Sequence, residues 1–87
     1  MKSYLVERDM MGATLDGLGE AKDAAVRYAQ EMRTRGTPIT YIRTAFVPQD
    51  GRCMCFFNAE TREAVQALND DAGLPYLRIL DCYDLTP

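Results

Sequence analysis

A chain of 87 residues makes one domain, 1–87, and a chain this short buries only about 60% of its unfolded surface, so its own core is thin. A net charge of −3 disfavours nucleic acid as a partner, because phosphate contacts need a basic face. Hydrophobic residues make up 47% of the chain, which argues against disorder, and no apolar run approaches the ~20 residues of a membrane span. Met1-Lys2-Ser3-Tyr4 runs straight into a strand-like pattern without the regions of a signal peptide, so a cytoplasmic protein with no membrane partner is expected.

Tyr4 to Arg8 reads as a short strand, and Asp9 to Ala13 as a connection whose Met10-Met11 pair suits core filling. Thr14 or Asp16 can cap the helix that follows. Leu18, Ala21, Ala25, Tyr28 and Met32 step by 3, 4, 3 and 4 and form one apolar stripe; Lys22, Asp23, Arg27, Gln30, Glu31 and Arg33 fall outside it. Gly17 and Gly19 each weaken the first turn by about 1 kcal/mol relative to Ala, so fraying or a late start is expected. Gly36 supplies a left-handed residue past the helix end, and Pro38 prevents a restart.

Ile39 to Val47 is the second strand. Simple alternation puts Thr40, Ile42, Thr44 and Phe46 on one face and Tyr41, Arg43, Ala45 and Val47 on the other. Pro48 to Gly51 is a hairpin turn, with Asp50-Gly51 expected to supply positive φ angles. Arg52 to Ala59 is the third strand: Cys53, Cys55 and Phe57 point one way, Met54, Phe56 and Asn58 the other. Both sets are mostly apolar, so both faces should be covered. Thr61 caps a second helix with Glu63 in its first turn; Ala64, Val65, Leu68 and Ala72 face inward and Gly73 ends it. Leu77 to Tyr83 is the last strand, and Asp84 to Pro87 a tail.

The order β-α-β-β-α-β with right-handed crossovers predicts an α+β, ferredoxin-like domain: a four-stranded antiparallel sheet, spatial order 4-1-3-2, with both helices on one face. The other face is left bare, and the tail is too short to span four strands. A homodimer through that face is therefore expected, although parity alone does not say which face it is.

Several segments together resemble a known family: Tyr4-Leu5-Val6-Glu7-Arg8, the Cys55-containing strand ending in Ala59, Glu63-Ala64-Val65, and Ala72-Gly73-Leu74-Pro75. The family is a small ferredoxin-like one, long catalogued as a domain of unknown function, whose best-known members are nickel-binding bacterial proteins. The resemblance implies the same fold, a small homodimer and, in some members, nickel held partly by histidine. This chain has no histidine, and Leu68 stands after Glu63-Ala64-Val65, where one would be sought. Carboxylate, phenol and thiolate alone suit nickel poorly, so neither a metal site nor a cofactor is expected. The three cysteines do not close a disulfide framework; Cys53 and Cys55, two apart on a strand, lie ~6.6 Å apart and read as small buried hydrophobes.

Candidate ligand-binding residues are Glu7, Arg8, Tyr41, Arg43 and Cys55. Glu7 and Arg8 end the first central strand and point to opposite faces; Glu7 is either a buried base or the partner of Arg43 or Arg78. Tyr41 and Arg43 share a face of the second strand and could clamp an anionic aromatic ligand by stacking and a charge-assisted hydrogen bond, or line a solvated or interface face. The chain has no histidine base, nucleophile elbow, phosphate loop or dinucleotide fingerprint. The function expected is a small dimeric module that binds or senses a small molecule. The alternatives are a cofactor-independent, monooxygenase-like enzyme with a pocket near the sheet and, less suited to this donor set, a nickel-binding protein.

Overall fold

Buried and half-buried positions alternate along the two central strands, and this alternation sets the architecture. The structure, a computed structural model, describes every residue from Met1 to Pro87. Its elements are β1 (Lys2–Asp9), α1 (Leu15–Thr34), β2 (Ile39–Val47), β3 (Arg52–Ala59), α2 (Arg62–Asp71) and β4 (Arg78–Cys82). The strands form one antiparallel sheet in the order β2-β3-β1-β4. This is the ferredoxin-like arrangement expected from the sequence, with β1 and β3 in the centre.

The helices lie over the face that carries Tyr4, Val6 and Arg8 of β1 and Cys53, Cys55 and Phe57 of β3. The register pairs Tyr4 with Phe57, Val6 with Cys55 and Arg8 with Cys53. Ala25, Ala29 and Met32 of α1 and Val65 and Leu68 of α2 close the core over them. Ala29 joins the stripe predicted for α1. The opposite face, with Leu5, Met54 and Phe56, has no helix over it, so the bare face is the Met54–Phe56 side.

Three local expectations need correction. α1 starts on time at Leu15 despite Gly17 and Gly19. Thr14 caps it by accepting the Gly17 N–H at 3.0 Å, and Leu18 N–H reaches the Thr14 carbonyl at 2.9 Å, so these bonds outweigh the glycine penalty. In the hairpin only Gly51 takes a positive φ, +76°, while Asp50 instead accepts the Arg52 N–H through its side chain.

The third correction bears on the site. Tyr41 faces Phe57, but Arg43 faces Phe56, because a β-bulge interrupts the β2–β3 ladder between Tyr41 and Arg43. An extra residue reverses the alternation from there on. Tyr41, Thr44 and Phe46 therefore share the helix-covered face, and Arg43, Ala45 and Val47 the bare one. Tyr41 packs edge-on against Phe57 at 5.7 Å between ring centroids, while the Arg43 guanidinium lies 4.5 Å from the centroid of Phe56. The predicted Tyr41–Arg43 clamp is not formed.

Candidate functional site

The alternation that buries Tyr4 and Val6 also buries the next residue in their row, Arg8, which is only 3% exposed. A guanidinium keeps its charge inside a protein, so it needs partners there. Nη2 donates to Asn69 Oδ1 at 2.6 Å, Nη1 to the carbonyls of Pro75 and Leu74 at 3.2 and 3.4 Å, and Nε to Cys55 Sγ at 3.4 Å. Every one of these acceptors is uncharged, and none of the ion pairs in the structure involves Arg8.

The partners are fixed by their own elements. Asn69 is fully buried on α2, one residue past Leu68, and its amide N–H binds the Val65 carbonyl one turn back at 2.8 Å. That bond points Oδ1 toward β1. Past α2, Gly73 takes φ +66°, and the chain turns so that the Leu74 and Pro75 carbonyls come over the guanidinium.

Beside Arg8 lies a cleft of about 350 Å³ between the β1–α1 connection and the segment after α2. Its walls come from Met10, Met11 and Ala13 of the connection, Ala21 of α1, and Leu74 and Pro75; Arg8 and Asp9 are its charged residues. The roof is tied down. Met10 N–H donates to the Gly51 carbonyl at 2.8 Å, and Asp9 Oδ1 accepts the Met11 N–H at 3.1 Å. Gly51 must be glycine for two reasons: its φ is positive, and a Cβ there would sit 2.6 Å from Met11 Cα. The hairpin turn thus positions the cleft wall.

A polar chain runs from Arg8 across the sheet beneath the helices. Cys55 Sγ is 3.2 Å from Thr44 Oγ1, which is 2.6 Å from the Tyr41 hydroxyl. Burial pushes the Tyr41 hydroxyl above its ordinary range, against the opposing effect of its bond to Thr44. Burial, reinforced by Cys55, pushes the Cys53 thiol up to about 11.

Of the predicted site residues, Arg8, Tyr41 and Cys55 are thus joined on the covered face. Glu7 and Arg43 lie on the bare face and do not reach the cleft. Glu7 pairs with Arg78 at 3.2 Å, the ion-pair reading of that residue. Arg43 pairs at 3.6 Å with Asp84 of the tail. That contact also qualifies the expectation that the tail cannot span the sheet: Asp84 follows one edge strand and Arg43 leaves the other, and the two meet over the face between them. Sequence reasoning missed Asn69, Thr44 and Gly51. Asn69 carried a signal, since it sits four residues after the buried Val65 on the edge of the apolar stripe.

The residues do not fit a nickel site. Nowhere do three or more His, Cys, Asp or Glu side chains gather at distances that could hold a metal ion, and the chain has no histidine. Thiolate is the ligating form of cysteine, whereas Cys53 is held as the thiol at neutral pH.

The family model described as "Nickel responsive protein SCO4226-like" matches residues 4–81. Among solved structures, the crystal structure of SCO4226 from Streptomyces coelicolor A3(2) superposes with a TM-score of 0.81 at 20% sequence identity, covering 97% of this chain and 99% of that one. This likeness supports the fold. No curated protein matches the chain.

Proposed function

The chain belongs to the SCO4226-like family, and we propose that it is a small homodimeric module that binds a small molecule in the cleft beside Arg8. The observation that carries this reading is the cleft itself: apolar walls and one buried, oriented charged group are the usual make-up of a small-molecule site. Its volume of about 350 Å³ lies near the lower end of such sites, roughly 300–1,000 Å³.

The dimer rests on the bare face. Leu5, Met54 and Phe56 are only partly buried there, and Leu80 is exposed beside them. Tyr83 and Leu85, which flank Asp84 in the tail, are 95% and 90% exposed. A stable interface takes about 800 Å² from each partner. Three unpaired cysteines suit a reducing, cytoplasmic compartment.

Nickel is described for the family, but this donor set argues against nickel as the ligand here. Calorimetric titration of untagged protein at neutral pH is expected to give no low-micromolar nickel binding; tight uptake would restore the metal reading. The module reading is tested in two ways. In a small-molecule screen followed by amide chemical shifts, hits should perturb Met10, Ala21 and Leu74 together. In sedimentation equilibrium the mass should be twice 9.8 kDa, and a mass of 9.8 kDa would remove the dimer.

A further inference from the structure

We propose that the ligand of this cleft is a small monocarboxylate with an apolar, aromatic body, its carboxylate taken by Arg8; this rests on the reading of the cleft as a ligand site. Arg43, Arg52 and Arg78 lie at the surface with a carboxylate partner each, while Arg27, Arg33, Arg35 and Arg62 have none but are exposed to water, which solvates their charge. Arg8, the buried arginine, has none. An arginine whose role was only to tie β1 to α2 would be expected to bring its counter-ion into the core, because a buried charge without one is costly.

The bonds of Arg8 that a ligand could exchange lie toward the cleft. A guanidinium has five N–H donors, and Arg8 uses four, leaving one Nη2 hydrogen without a partner. Its Nη1 bonds go to Pro75 and Leu74, both cleft-lining residues, so the Nη1 edge is turned to the cleft. These bonds, 3.2 and 3.4 Å, are long beside the 2.6 Å bond to Asn69. A carboxylate placed along that edge would displace these two long bonds and put charge-assisted ones in their place, in a planar geometry that matches the guanidinium.

The rest of the cleft selects the ligand. One cationic group matches one negative charge, and Asp9 at the cleft lining would repel a dianion such as a phosphate ester. The walls are apolar, and two methionines offer polarisable sulfur that packs well at the edges of aromatic rings. The modest volume limits the body to about a single substituted ring.

The test titrates the full chain with phenylacetate, phenylacetamide and phenylphosphonate, followed by calorimetry and amide shifts. Phenylacetate is expected to bind in the millimolar range or tighter and to perturb Met10, Ala21 and Leu74. The neutral amide should bind at least about tenfold more weakly, and the phosphonate more weakly than the carboxylate. Ala21→Phe fills the cleft without touching Arg8 and should abolish binding while the protein stays folded. Arg8→Lys keeps the charge, loses the planar fork and should reduce the preference for acid over amide. If the amide binds as well as the acid and Ala21→Phe blocks both, the cleft is a ligand site and the anion inference is overturned. If no member of the panel perturbs the cleft, both the inference and the site reading fall.

Discussion

The central strand β3 sends Cys53, Cys55 and Phe57 to one face of the sheet and Met54 and Phe56 to the other, and the two faces end in different states. On the covered face Val6, Phe57, Val65 and Leu68 are fully buried, and the charge of Arg8 is held by neutral acceptors. On the bare face Leu5, Met54 and Phe56 keep partial exposure, and each arginine, Arg43 and Arg78, meets a carboxylate. Apolar content does not distinguish these faces. The treatment of charge does. Where water is near, an ion pair forms at little cost; where water is excluded, the fold supplies neutral dipoles in place of a counter-ion.

The sharpest way to break this comparison is to place a carboxylate on each face in turn. Leu68 is fully buried under α2, so Leu68→Asp strands an unpaired charge in the core and should cost more than about 4 kcal/mol, enough to unfold a domain this small. Phe56→Asp puts the same group on the bare face and should leave the monomer folded. Circular dichroism melts of both variants check the contrast; a Leu68→Asp midpoint within about 2 °C of wild type would mean that α2 does not pack as described.

A smaller change probes how the covered face holds its charge. Asn69→Ala removes the shortest bond to Arg8 and leaves the guanidinium less satisfied in a buried setting. Loss of a hydrogen bond to a buried charged group costs about 2–3 kcal/mol, readable in urea unfolding. A loss below about 0.5 kcal/mol would show that solvent reaches Arg8 and that its burial is incomplete.

The fold was legible because its signals are local. The stripes of both helices, the caps Thr14 and Thr61, the turn at Gly51 and the run of β3 each specify one element, and the element order specifies the topology. The site was legible only in part. Arg8 and Cys55 were candidates that the structure places on one face; a period of two sorts each strand's residues into two sets without reference to any other strand, but does not say which set the helices cover. The pairing of Tyr41 with Arg43 failed because a bulge is an insertion in one strand relative to its neighbour, and no pattern within Thr40-Tyr41-Ile42-Arg43 marks it. Gly51 was assigned to its turn, but its contact with Met11, forty residues earlier in sequence, is a tertiary fact.

The covered face should also reveal itself through pH. The Cys53 thiol is held protonated in the folded protein up to about 11, against an ordinary value of 9.0 for an exposed thiol. The folded chain therefore binds more protons than the unfolded chain between these values. The stabilisation is fully present below pH 9.0 and is lost as pH rises toward 11, by an amount on the order of 2 kcal/mol. Tyr41, raised by burial, acts in the same direction. Urea unfolding at pH 8 and pH 10.5 should show a steeper decline for wild type than for Cys53→Ala; equal slopes would mean that Cys53 is open to water.

The smallest effect on the chain itself is expected where the bare face meets the tail. Arg43 and Asp84 lie 3.6 Å apart with 53% and 24% of their side chains exposed. Water and salt screen such a pair, so it contributes less than about 0.5 kcal/mol, and Asp84→Ala should leave the melting midpoint of dilute protein unchanged within about 2 °C. A second copy seated on this face would change that result. The pair sits above Phe56, so a partner would remove it from water, and Asp84→Ala would then leave Arg43 without a carboxylate inside the interface. Truncating one member of a desolvated charge pair costs roughly 2–5 kcal/mol of binding, so the dimer should weaken by at least about tenfold while the monomer is unaffected. Sedimentation across a concentration series of wild type and Asp84→Ala separates the two cases: a dimer equally tight in both places the interface away from the sheet, and a weakened one puts Phe56, Arg43 and the tail at its centre.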